Sequence, residues 1–265
     1  MGRVGYLGPD GSYSQLAAVN MCGDGELAPF ARFTQGFKKL EEGYFDAIVV
    51  PIENTLNGGV VQNIDLLQAS DAVAVRECTV KIDHRLATLE SADLTKIKYI
   101  YSHQQALEQC GRYLTKNYPN AEVIPTFSTA AGLEKLASDE DACIAGAHIG
   151  REGIKLSEQC ISDEKRNFTR FLLIRRGSVD ETNKSSKIYF SLTCNNRTGA
   201  LSELLLPIAA NGLNMTKIES RPIKERPEEY RFFIETEGDY SSREVRKILE
   251  VVKAAAIEFK LLGCY

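Results

Sequence analysis

Side chains able to hold a polar ligand are concentrated in four short segments of the sequence. The first, residues 8–15 (GPDGSYSQ), joins a predicted strand to a predicted helix, and Ser12 with Gln15 has the spacing of a capping box. The start of a helix offers free backbone N–H groups and the positive end of the dipole, which suit a carboxylate. A plain strand-to-helix turn also explains these residues, and the glycines do not match the G-x-G-x-x-G nucleotide fingerprint.

The second segment, residues 50–55 (VPIENT), ends a predicted strand with polar side chains just before the Asn57–Gly59 turn. At this position Glu53 and Asn54 could bind a ligand. Asparagine also stabilises turns by bonding its own backbone, so turn formation alone explains the segment equally well.

The third segment, residues 102–110 (SHQQALEQC), opens a predicted helix that covers about residues 103–115. Ser102 and Gln105 again have capping-box spacing. Gln105 and Gln109 are four residues apart and share one helix face, where two neutral amides can hold a polar ligand without burying a charge. For this segment alone, a capped helix with a solvent-facing side is the simpler explanation.

The fourth segment, residues 167–171 (NFTRF), enters a predicted strand, in which alternate side chains face opposite ways. Thr169 and Phe171 therefore share one face, and Arg170 lies on the other. Arg170 could form a forked contact with a carboxylate of a ligand. The alternative is ordinary strand packing with Arg170 in a surface ion pair.

These four segments belong to a region in which strands and helices alternate. Such alternation predicts an α/β fold with a largely parallel sheet, and sheets of this kind bind ligands at the carboxyl ends of their strands. Gly8, Glu53 and Ser102 each follow a predicted strand, so they lie at that edge. The predicted strands cover residues 4–8, 45–51, 98–101, 122–126, 142–145 and 168–175, and the predicted helices cover residues 12–21 and 103–115.

A polar, serine-rich stretch at residues 176–187 is a predicted linker to a second unit. The order of elements after it is β-α-β-β-α-β, which predicts a ferredoxin-like module. Pro207 lies inside the first helix of this module and is expected to bend or break it. The predicted strands are residues 188–193, 213–220, 230–236 and 259–264, and the predicted helices are residues 198–210 and 241–256.

Length and composition limit the classes of protein that fit. A chain of 265 residues is expected to form two or three units, and its net charge of −4 gives no basic field for nucleic acid or a membrane surface. No stretch approaches the ~20 apolar residues of a membrane span, and the N-terminal sequence lacks a signal-peptide pattern. The seven cysteines form no Cys-x-x-Cys pair and the three histidines are widely separated, so we expect a cytoplasmic protein without a disulfide framework, metal site or cofactor.

Taken together, the four segments resemble the motifs of prephenate dehydratases in order and spacing. The matches are GPxGxxS from residue 8, PIEN from residue 51, SHxQALxQC from residue 102 and NxTRF from residue 167. Gln104 stands where that family usually has proline, and Thr55 where serine is frequent. The second unit resembles the family's ACT domain at residues 199–201, 214–222 and 262–265, so the resemblance covers essentially the whole chain.

The resemblance implies a catalytic region at residues 1–178 and an ACT domain at residues 188–265. The catalytic region is expected to consist of two α/β lobes like those of a periplasmic binding protein, with the active site in the cleft between them. Lobe one is expected to comprise about residues 1–78 and 160–178, and lobe two about residues 79–159.

The family reaction converts prephenate to phenylpyruvate, carbon dioxide and water, and formation of the aromatic ring drives it without a cofactor. The resemblance makes Thr169 the expected hydrogen-bond donor to the departing hydroxide. Asn54, Ser102 and Gln109 match family residues that help to form the pocket, and Glu53 could position or relay a proton. The expected contacts to substrate come from Arg170, Gly11, Ser12 and Phe171.

ACT domains that bind L-phenylalanine in this family resemble the second unit. Feedback inhibition by L-phenylalanine and assembly as a homodimer or homotetramer are therefore expected. A strand-to-helix turn leaves backbone groups free to hold the charged ends of an amino acid. The expected ligands of L-phenylalanine are Asn195, Gly199, Ala200, Leu201, Glu219, Ser220, Arg221 and Pro222.

Two other functions are compatible with the sequence. Arogenate dehydratase acts on a substrate in which an amine replaces the keto group of prephenate, and it shares the same motifs. A non-catalytic amino-acid sensor would combine a binding-protein fold with an ACT domain. Such a sensor has no need for Thr169 in its NxTRF context.

Overall fold

The computed structural model describes residues 2–23, 25–223 and 226–265 of the chain. Within that part, no helix is long and apolar enough to cross a membrane. The elements up to residue 89 are β1 (Val4–Leu7), α1 (Tyr13–Cys22), β2 (Leu27–Phe30), α2 (Phe33–Glu41), β3 (Ala47–Asn54), β4 (Gly58–Gly59), α3 (Val61–Ala69), β5 (Ala72–Lys81) and β6 (His84–Leu89). Those from residue 99 to residue 176 are β7 (Tyr99–His103), α4 (Gln104–Gln109), α5 (Gly111–Asn117), β8 (Glu122–Thr126), α6 (Thr129–Leu133), β9 (Asp141–Gly146), β10 (Ile154–Leu156) and β11 (Phe168–Arg176). The remaining elements are β12 (Lys187–Thr193), α7 (Ala200–Ala210), β13 (Met215–Ile223), β14 (Arg226–Glu237), α8 (Arg243–Ala255) and β15 (Glu258–Cys264).

Lobe one is built on strands β1 to β5 and β11. β1 lies between β2 and β3 and is parallel to both, whereas β11 lies between β3 and β5 and is antiparallel to both. β3 begins as a continuous buried apolar run, which is typical of a strand covered on both faces. The prediction of a largely parallel sheet is wrong, because β5 leaves this lobe and β11 returns beside it in the opposite direction.

Lobe two is built on a second sheet with the strand order β10-β6-β9-β7-β8. β7 is parallel to β8 and β9, while β6 is antiparallel to β9 and β10. Ile100 and Ile144 of this sheet pack with Leu107 and Leu114 of α4 and α5 in a core of their own. Two short crossings of the chain, after β5 and before β11, join the lobes.

The C-terminal module has the strand order β13-β14-β12-β15, and its two helices pack against each other. This is the predicted β-α-β-β-α-β order. The expected break at Pro207 does not occur, and α7 runs through the proline. Leu204 and Ile208, on either side of the proline along α7, are both buried in the module's core, which holds the helix in place.

The module continues the sheet of lobe one, because β15 pairs in parallel with β5. The pairing places Gly263 opposite Ala74. A Cβ atom at Gly263 would lie only 2.5 Å from the carbonyl oxygen of Ala74, so this close approach of two backbones requires glycine. The two parts of the chain are thus joined by backbone pairing as well as by the connecting residues.

Apolar packing reinforces this junction. Tyr189, Phe233 and Leu262 of the module belong to the same buried cluster as Leu40 and Leu67 of lobe one. The opposite face of the lobe-one sheet is covered by α1 instead. One face of the lobe-one sheet is therefore covered by α2, α3 and part of the module, and the other face by α1.

Helix α3 of lobe one is held by the module along its length. Arg221 donates to Asp65 Oδ1 at 2.9 Å on the N-terminal half of the helix, and Ser191 donates to Gln68 Oε1 at 2.6 Å. Lys260 donates to the carbonyl oxygen of Gln68 at 2.6 Å near the last turn, where a positive charge suits the helix dipole.

Candidate active site

A cleft of about 540 Å³ lies between the two lobes. It brings together residues from all four segments singled out in the sequence. Lobe one contributes Pro9, Ser12, Tyr13, Asn54, Gly58, Val60, Thr169 and Phe171 to its wall, and lobe two contributes His84, His103, Gln105, Gln109, Phe127 and Ser128.

The first segment forms the start of α1 at the cleft. Ser12 is the N-cap, and its Oγ accepts a hydrogen bond from the Gln15 N–H at 3.2 Å, which confirms the predicted capping box. Gln15 reaches back so that its Oε1 accepts the Gly11 N–H at 2.6 Å. Ser12 lines the cleft, whereas the Gly11 N–H is already occupied and Gly11 is not among the lining residues.

In the second segment, Asn54 and Glu53 point to opposite sides of β3. Asn54 lines the cleft. The Glu53 carboxylate lies 3.3 Å from a guanidinium nitrogen of Arg170 and 3.4 Å from Lys217 Nζ, on the side that faces the C-terminal module. Glu53 therefore does not reach the cleft, and a role in proton transfer there does not fit its position.

Asn54 and Thr169 lie directly opposite each other on β3 and β11. The backbone N–H groups of Leu56 and Asn57 donate to Asn54 Oδ1 at 3.0 and 3.2 Å, which fixes which end of the amide is oxygen. The Asn54 NH₂ group therefore donates to Thr169 Oγ1 at 2.9 Å. Because this bond uses a lone pair of Oγ1, the Thr169 O–H remains able to donate to a ligand in the cleft.

Arg170 lies on the other face of β11. Its Nη1 is 2.6 Å from Glu235 Oε2 and 3.3 Å from Glu77 Oε2, while its Nη2 contacts Glu53. Alternation along the strand turns Thr169 and Phe171 toward the cleft and α1, and so turns Arg170 toward the module. The expectation that Arg170 binds substrate does not fit this geometry, since its guanidinium is enclosed by carboxylates of the same chain.

These charges form an interdomain cluster, comprising Arg170, Glu53, Glu77, Lys187, Lys217, Glu235 and Tyr265. Burial alone would raise the pKa of the Glu235 carboxyl, but Arg170 and hydrogen bonds from Thr216 and Tyr265 hold it below its usual value. Burial, together with the neighbouring Glu235, raises the pKa of Tyr265, so its hydroxyl stays a donor, at 2.7 Å from Glu235 Oε2.

The third segment departs from its predicted form. The helix is divided into α4 and α5 at Cys110, and His103 rather than Ser102 is the N-cap of α4. Ser102 is fully buried, and its hydroxyl donates to the carbonyl oxygen of Ile144 at 2.8 Å. Ser102 thus secures β7 to the neighbouring β9 and does not line the cleft, whereas Gln105 and Gln109 do.

Several residues of the cleft were not predicted from the sequence, and three of them make defined hydrogen bonds there. Asn167 is fully buried, accepts a hydrogen bond from Asn54 at 2.8 Å and donates to Gln109 Oε1 at 3.2 Å. His84 Nε2 lies 3.0 Å from the same Gln109 oxygen. Tyr13 both donates to and accepts from the backbone of Asp83, at 2.8 and 3.0 Å, and so links α1 to the crossing between the lobes.

The signals for these residues differed in strength. Asn167 lies within the NFTRF segment, but its residue type and position there indicate no particular role. His84 and Tyr13 carried no distinctive spacing, so only the folded structure brings them to the cleft.

The cleft carries no fixed formal charge. Of the described residues that line it, none is Asp, Glu, Lys or Arg. Burial lowers the pKa of His84, which favours the neutral imidazole at neutral pH. No group of three or more His, Cys, Asp or Glu side chains in the described part of the chain could hold a metal ion. An anionic ligand would therefore be held by N–H and O–H donors.

The residues expected to bind L-phenylalanine fall into two groups. Asn195, Ala200 and Leu201 line a small cavity of about 140 Å³ at the start of α7. Gly199 is the N-cap of that helix and has a left-handed φ of 82°. The Glu219–Pro222 segment lies on β13, which β14 separates from β12.

Alternate side chains of the Glu219–Pro222 segment point to opposite faces of β13. Glu219 and Arg221 face lobe one, where Arg221 donates to Glu219 Oε1 at 2.8 Å as well as to Asp65. Ser220 and Pro222 are exposed on the other face. Within one chain, the cavity at the start of α7 is lined by members of the first group and by none of residues 219–222.

The fold and the cleft define an α/β ligand-binding region of two lobes with a small β-α-β-β-α-β domain attached. The profile of the prephenate dehydratase family matches residues 4–179, and that of the ACT domain matches residues 188–254. The chain therefore belongs to the prephenate dehydratase family, whose activity is that of a lyase. The C-terminal module is an ACT domain.

Individual relatives agree with this assignment. The bifunctional chorismate mutase/prephenate dehydratase of Escherichia coli K12 is 34% identical over 273 residues, which span 99% of this chain and 70% of that protein. The prephenate dehydratase of Arthrobacter aurescens, solved in complex with L-Phe, has a TM-score of 0.87 at 29% identity, covering 100% of this chain and 90% of that one. The Staphylococcus aureus enzyme has a TM-score of 0.85 at 25% identity, covering 99% of both chains. The predicted two-lobed α/β fold with a C-terminal ACT domain is confirmed.

Proposed function

We propose that the cleft converts prephenate to phenylpyruvate, carbon dioxide and water, with the Thr169 hydroxyl donating a hydrogen bond to the leaving oxygen. In this reaction the bond to the ring carboxylate breaks, and its electron pair enters the ring. The C–O bond on the opposite side of the ring then breaks, and the departing hydroxide leaves as water after taking up a proton. Because the ring becomes aromatic, the step needs no electron acceptor.

The observation that carries this proposal is the polarity of the Asn54–Thr169 hydrogen bond. Asn54 can only donate to Thr169, so the Thr169 proton is available where negative charge develops on the leaving oxygen. A preorganised donor of this kind stabilises the transition state without reorganising during the reaction. Thr169 is 9% exposed, so little water competes for the same hydrogen bond.

The composition of the cleft supports prephenate over arogenate as substrate. Arogenate carries an ammonium group, which a carboxylate would balance. The described lining residues include neither Asp nor Glu, and Gln105 and Gln109 provide N–H donors for the two carboxylates that both substrates carry. Among the described lining residues, an ammonium group would therefore find no acidic counter-charge.

The decisive experiment follows product formation by the purified chain from prephenate and from arogenate. We expect phenylpyruvate from prephenate, with a much lower kcat/KM for arogenate. Preference for arogenate would assign the chain to the other dehydratase activity. No turnover of either compound, with both still binding, would identify a non-catalytic sensor.

We further propose that L-phenylalanine inhibits this enzyme through the ACT domain of a homodimer or homotetramer. The Arthrobacter aurescens relative was solved in complex with L-Phe. Here the cavity beside Ala200 is lined by the turn before α7, the start of α7 and β14, and the exposed Ser220 and Pro222 lie on the neighbouring strand β13. A second copy of the chain could bring one group against the other, which makes subunit assembly part of the binding site.

Sedimentation of the full chain at micromolar concentration, with and without L-phenylalanine, tests this regulatory proposal. We expect an oligomer under both conditions and slower turnover with the amino acid present. A monomer that L-phenylalanine neither binds nor inhibits would exclude it.

A further inference from the structure

A series of hydrogen-bonded side chains runs from Thr169 through Asn54, Asn167 and Gln109 and ends at His84. The His84 side chain is 4% exposed and lies at the start of β6 in lobe two. Nε2 is 3.0 Å from Gln109 Oε1. Nδ1 is buried and has no hydrogen-bond partner among the described residues.

The backbone contacts of Asn54 determine the direction of the hydrogen bonds from Asn54 to His84 in this series. Backbone N–H groups can only donate, so Asn54 Oδ1 accepts from Leu56 and Asn57. The Asn54 NH₂ group then donates to Asn167 Oδ1 at 2.8 Å. The remaining end of Asn167 is its NH₂ group, which donates to Gln109 Oε1 at 3.2 Å.

This direction also fixes the proton on His84. Gln109 Oε1 is an oxygen and can only accept, so His84 Nε2 carries the proton and donates to it. Nδ1 is then the unprotonated nitrogen, and a buried lone pair without a partner costs less than a buried N–H or a buried charge. Burial lowers the pKa of His84 and favours the same neutral form.

These hydrogen bonds determine which end of the Gln109 amide can contact a ligand. Both lone pairs of its Oε1 are used, one by Asn167 and one by His84. The other end of the amide is the NH₂ group, and Gln109 lines the cleft. The Gln109 NH₂ group is therefore the end that can donate to a ligand.

We propose that His84 is a positioning residue, which holds Gln109 with its NH₂ group toward the cleft so that it can donate to a carboxylate of the substrate. This inference rests on the proposed function for the identity of the ligand. We infer that His84 acts through Gln109 and not on the reacting atoms, because Nε2 is engaged by Gln109 and Nδ1 is buried without a hydrogen-bond partner among the described residues. A role as general acid would need the cationic form, which burial disfavours.

The first test uses the folded wild-type chain and does not depend on turnover. Nitrogen NMR of the full chain labelled at histidine distinguishes the two neutral tautomers and the cation. We expect a neutral His84 protonated at Nε2 at pH 7, assigned by the loss of its signals in His84→Gln. A cation or the Nδ1-protonated form would overturn the proposal, even in a fully active enzyme.

The second test is kinetic. In His84→Leu, which fills the site without a donor, we expect KM for prephenate to rise about tenfold and kcat to change by less than about threefold, since a ground-state contact to an anion is weakened. His84→Gln can place an N–H near the position of Nε2 and should recover part of the loss. If His84→Leu does not fold, His84→Gln is the variant to be measured in its place.

A double-mutant cycle separates positioning from general support of the fold. If His84 acts through Gln109, the variant His84→Leu/Gln109→Leu should be no worse than Gln109→Leu alone. Independent, multiplicative losses would contradict the proposal. A wild-type chain that does not convert prephenate would instead refute the proposed function, and the tautomer measurement would still decide the state of His84.

Discussion

Asn54 donates to Thr169 across neighbouring strands, and the two residues occupy paired positions of β3 and β11. The orientation of the Asn54 amide is set by the turn that follows β3, through the N–H groups of Leu56 and Asn57. A local turn in one segment thus determines what a hydroxyl more than a hundred residues later can do. We therefore expect the reactivity of this site to depend on hydrogen-bond direction more than on formal charge.

Replacement of Thr169 tests the donor itself. Thr169→Ala should lower kcat for prephenate by about 10²-fold or more, because one transition-state donor is lost. Thr169→Ser keeps the hydroxyl and should retain more activity. Stopped or continuous assay of phenylpyruvate measures both variants, and thermal unfolding checks that each is folded. Equal activity of wild type and Thr169→Ala would remove Thr169 from the mechanism.

Asn54→Asp tests hydrogen-bond direction with almost no change in shape. The aspartate keeps an oxygen for the Leu56 and Asn57 N–H groups but presents a second oxygen to Thr169 in place of NH₂. Thr169 must then donate to the carboxylate, so kcat should fall by about 10²-fold. Asn117→Asp, on the exposed surface of α5, adds the same charge and should leave kcat near that of wild type. Full activity of Asn54→Asp would show that the direction of this bond does not matter.

Removal of metals and small molecules tests the expectation of cofactor-free chemistry. After exhaustive chelation and dialysis, we expect kcat and KM for prephenate to be the same as before treatment. Metal analysis of the same sample should accompany the assay. Activity that returns only after addition of a metal ion or a nucleotide would contradict this expectation.

Because of the interdomain cluster, we expect the free energy of unfolding to fall at acid pH. The pKa of Glu235 is lowered below 4.5 in the folded chain, so its contribution to stability is fully present above about pH 4.5 and is lost as the pH falls through the lowered value. Glu235→Gln should reduce the free energy of unfolding by about 3 kcal/mol at pH 7, because Arg170 loses a buried partner.

The difference between Glu235→Gln and wild type should shrink as the pH falls below 4.5 and through the lowered pKa of the folded chain, below which the wild-type carboxylate is itself protonated. Urea unfolding at several pH values measures this. Glu237→Gln, an exposed position on the same strand, is the matched control and should change stability little. A Glu235→Gln effect that stays constant down to acid pH would mean that packing, not charge, dominates at this site.

Ser220→Ala tests the proposed regulatory surface. Ser220 is exposed on the face of β13 that points away from lobe one, so the change should leave turnover without effector unchanged. Inhibition by L-phenylalanine should require at least several-fold more of the amino acid, as expected when one hydrogen bond to a ligand is lost. Ser178→Ala, in the connecting residues, should behave like wild type. Unchanged inhibition in Ser220→Ala would exclude Ser220 from the effector site.

Strand alternation made part of the site predictable. It placed Thr169 and Phe171 on one face of β11 and Arg170 on the other, as the structure has them. Alternation cannot say which face meets a ligand, because that depends on where α1 and the ACT domain pack. For this reason the sequence suggested that Arg170 binds a carboxylate of the substrate. In the structure, carboxylates of the same chain surround its guanidinium instead.

Local capping signals were a weaker guide. Ser12 caps α1 as predicted, but the same spacing at Ser102 failed because the buried Ser102 hydroxyl bonds to a neighbouring strand instead. Helices α2 and α3 and strand β5 were not recognised in the sequence at all. Helix α2 has an apolar stripe at Phe33, Phe37 and Leu40, and β5 begins with an apolar run at residues 72–75, so local patterns for both are present in the sequence.

Helix α3 connects the ACT domain to the wall of the cleft. Arg221, Ser191 and Lys260 hold the helix, while Val60, the residue just before it, forms part of the cleft wall. Any displacement of the ACT domain must either break these contacts or shift the cleft wall. The same link works in reverse, since coupling between two binding sites is reciprocal. Substrate held in the cleft would then resist movements of the ACT domain as strongly as an effector there resists binding of substrate.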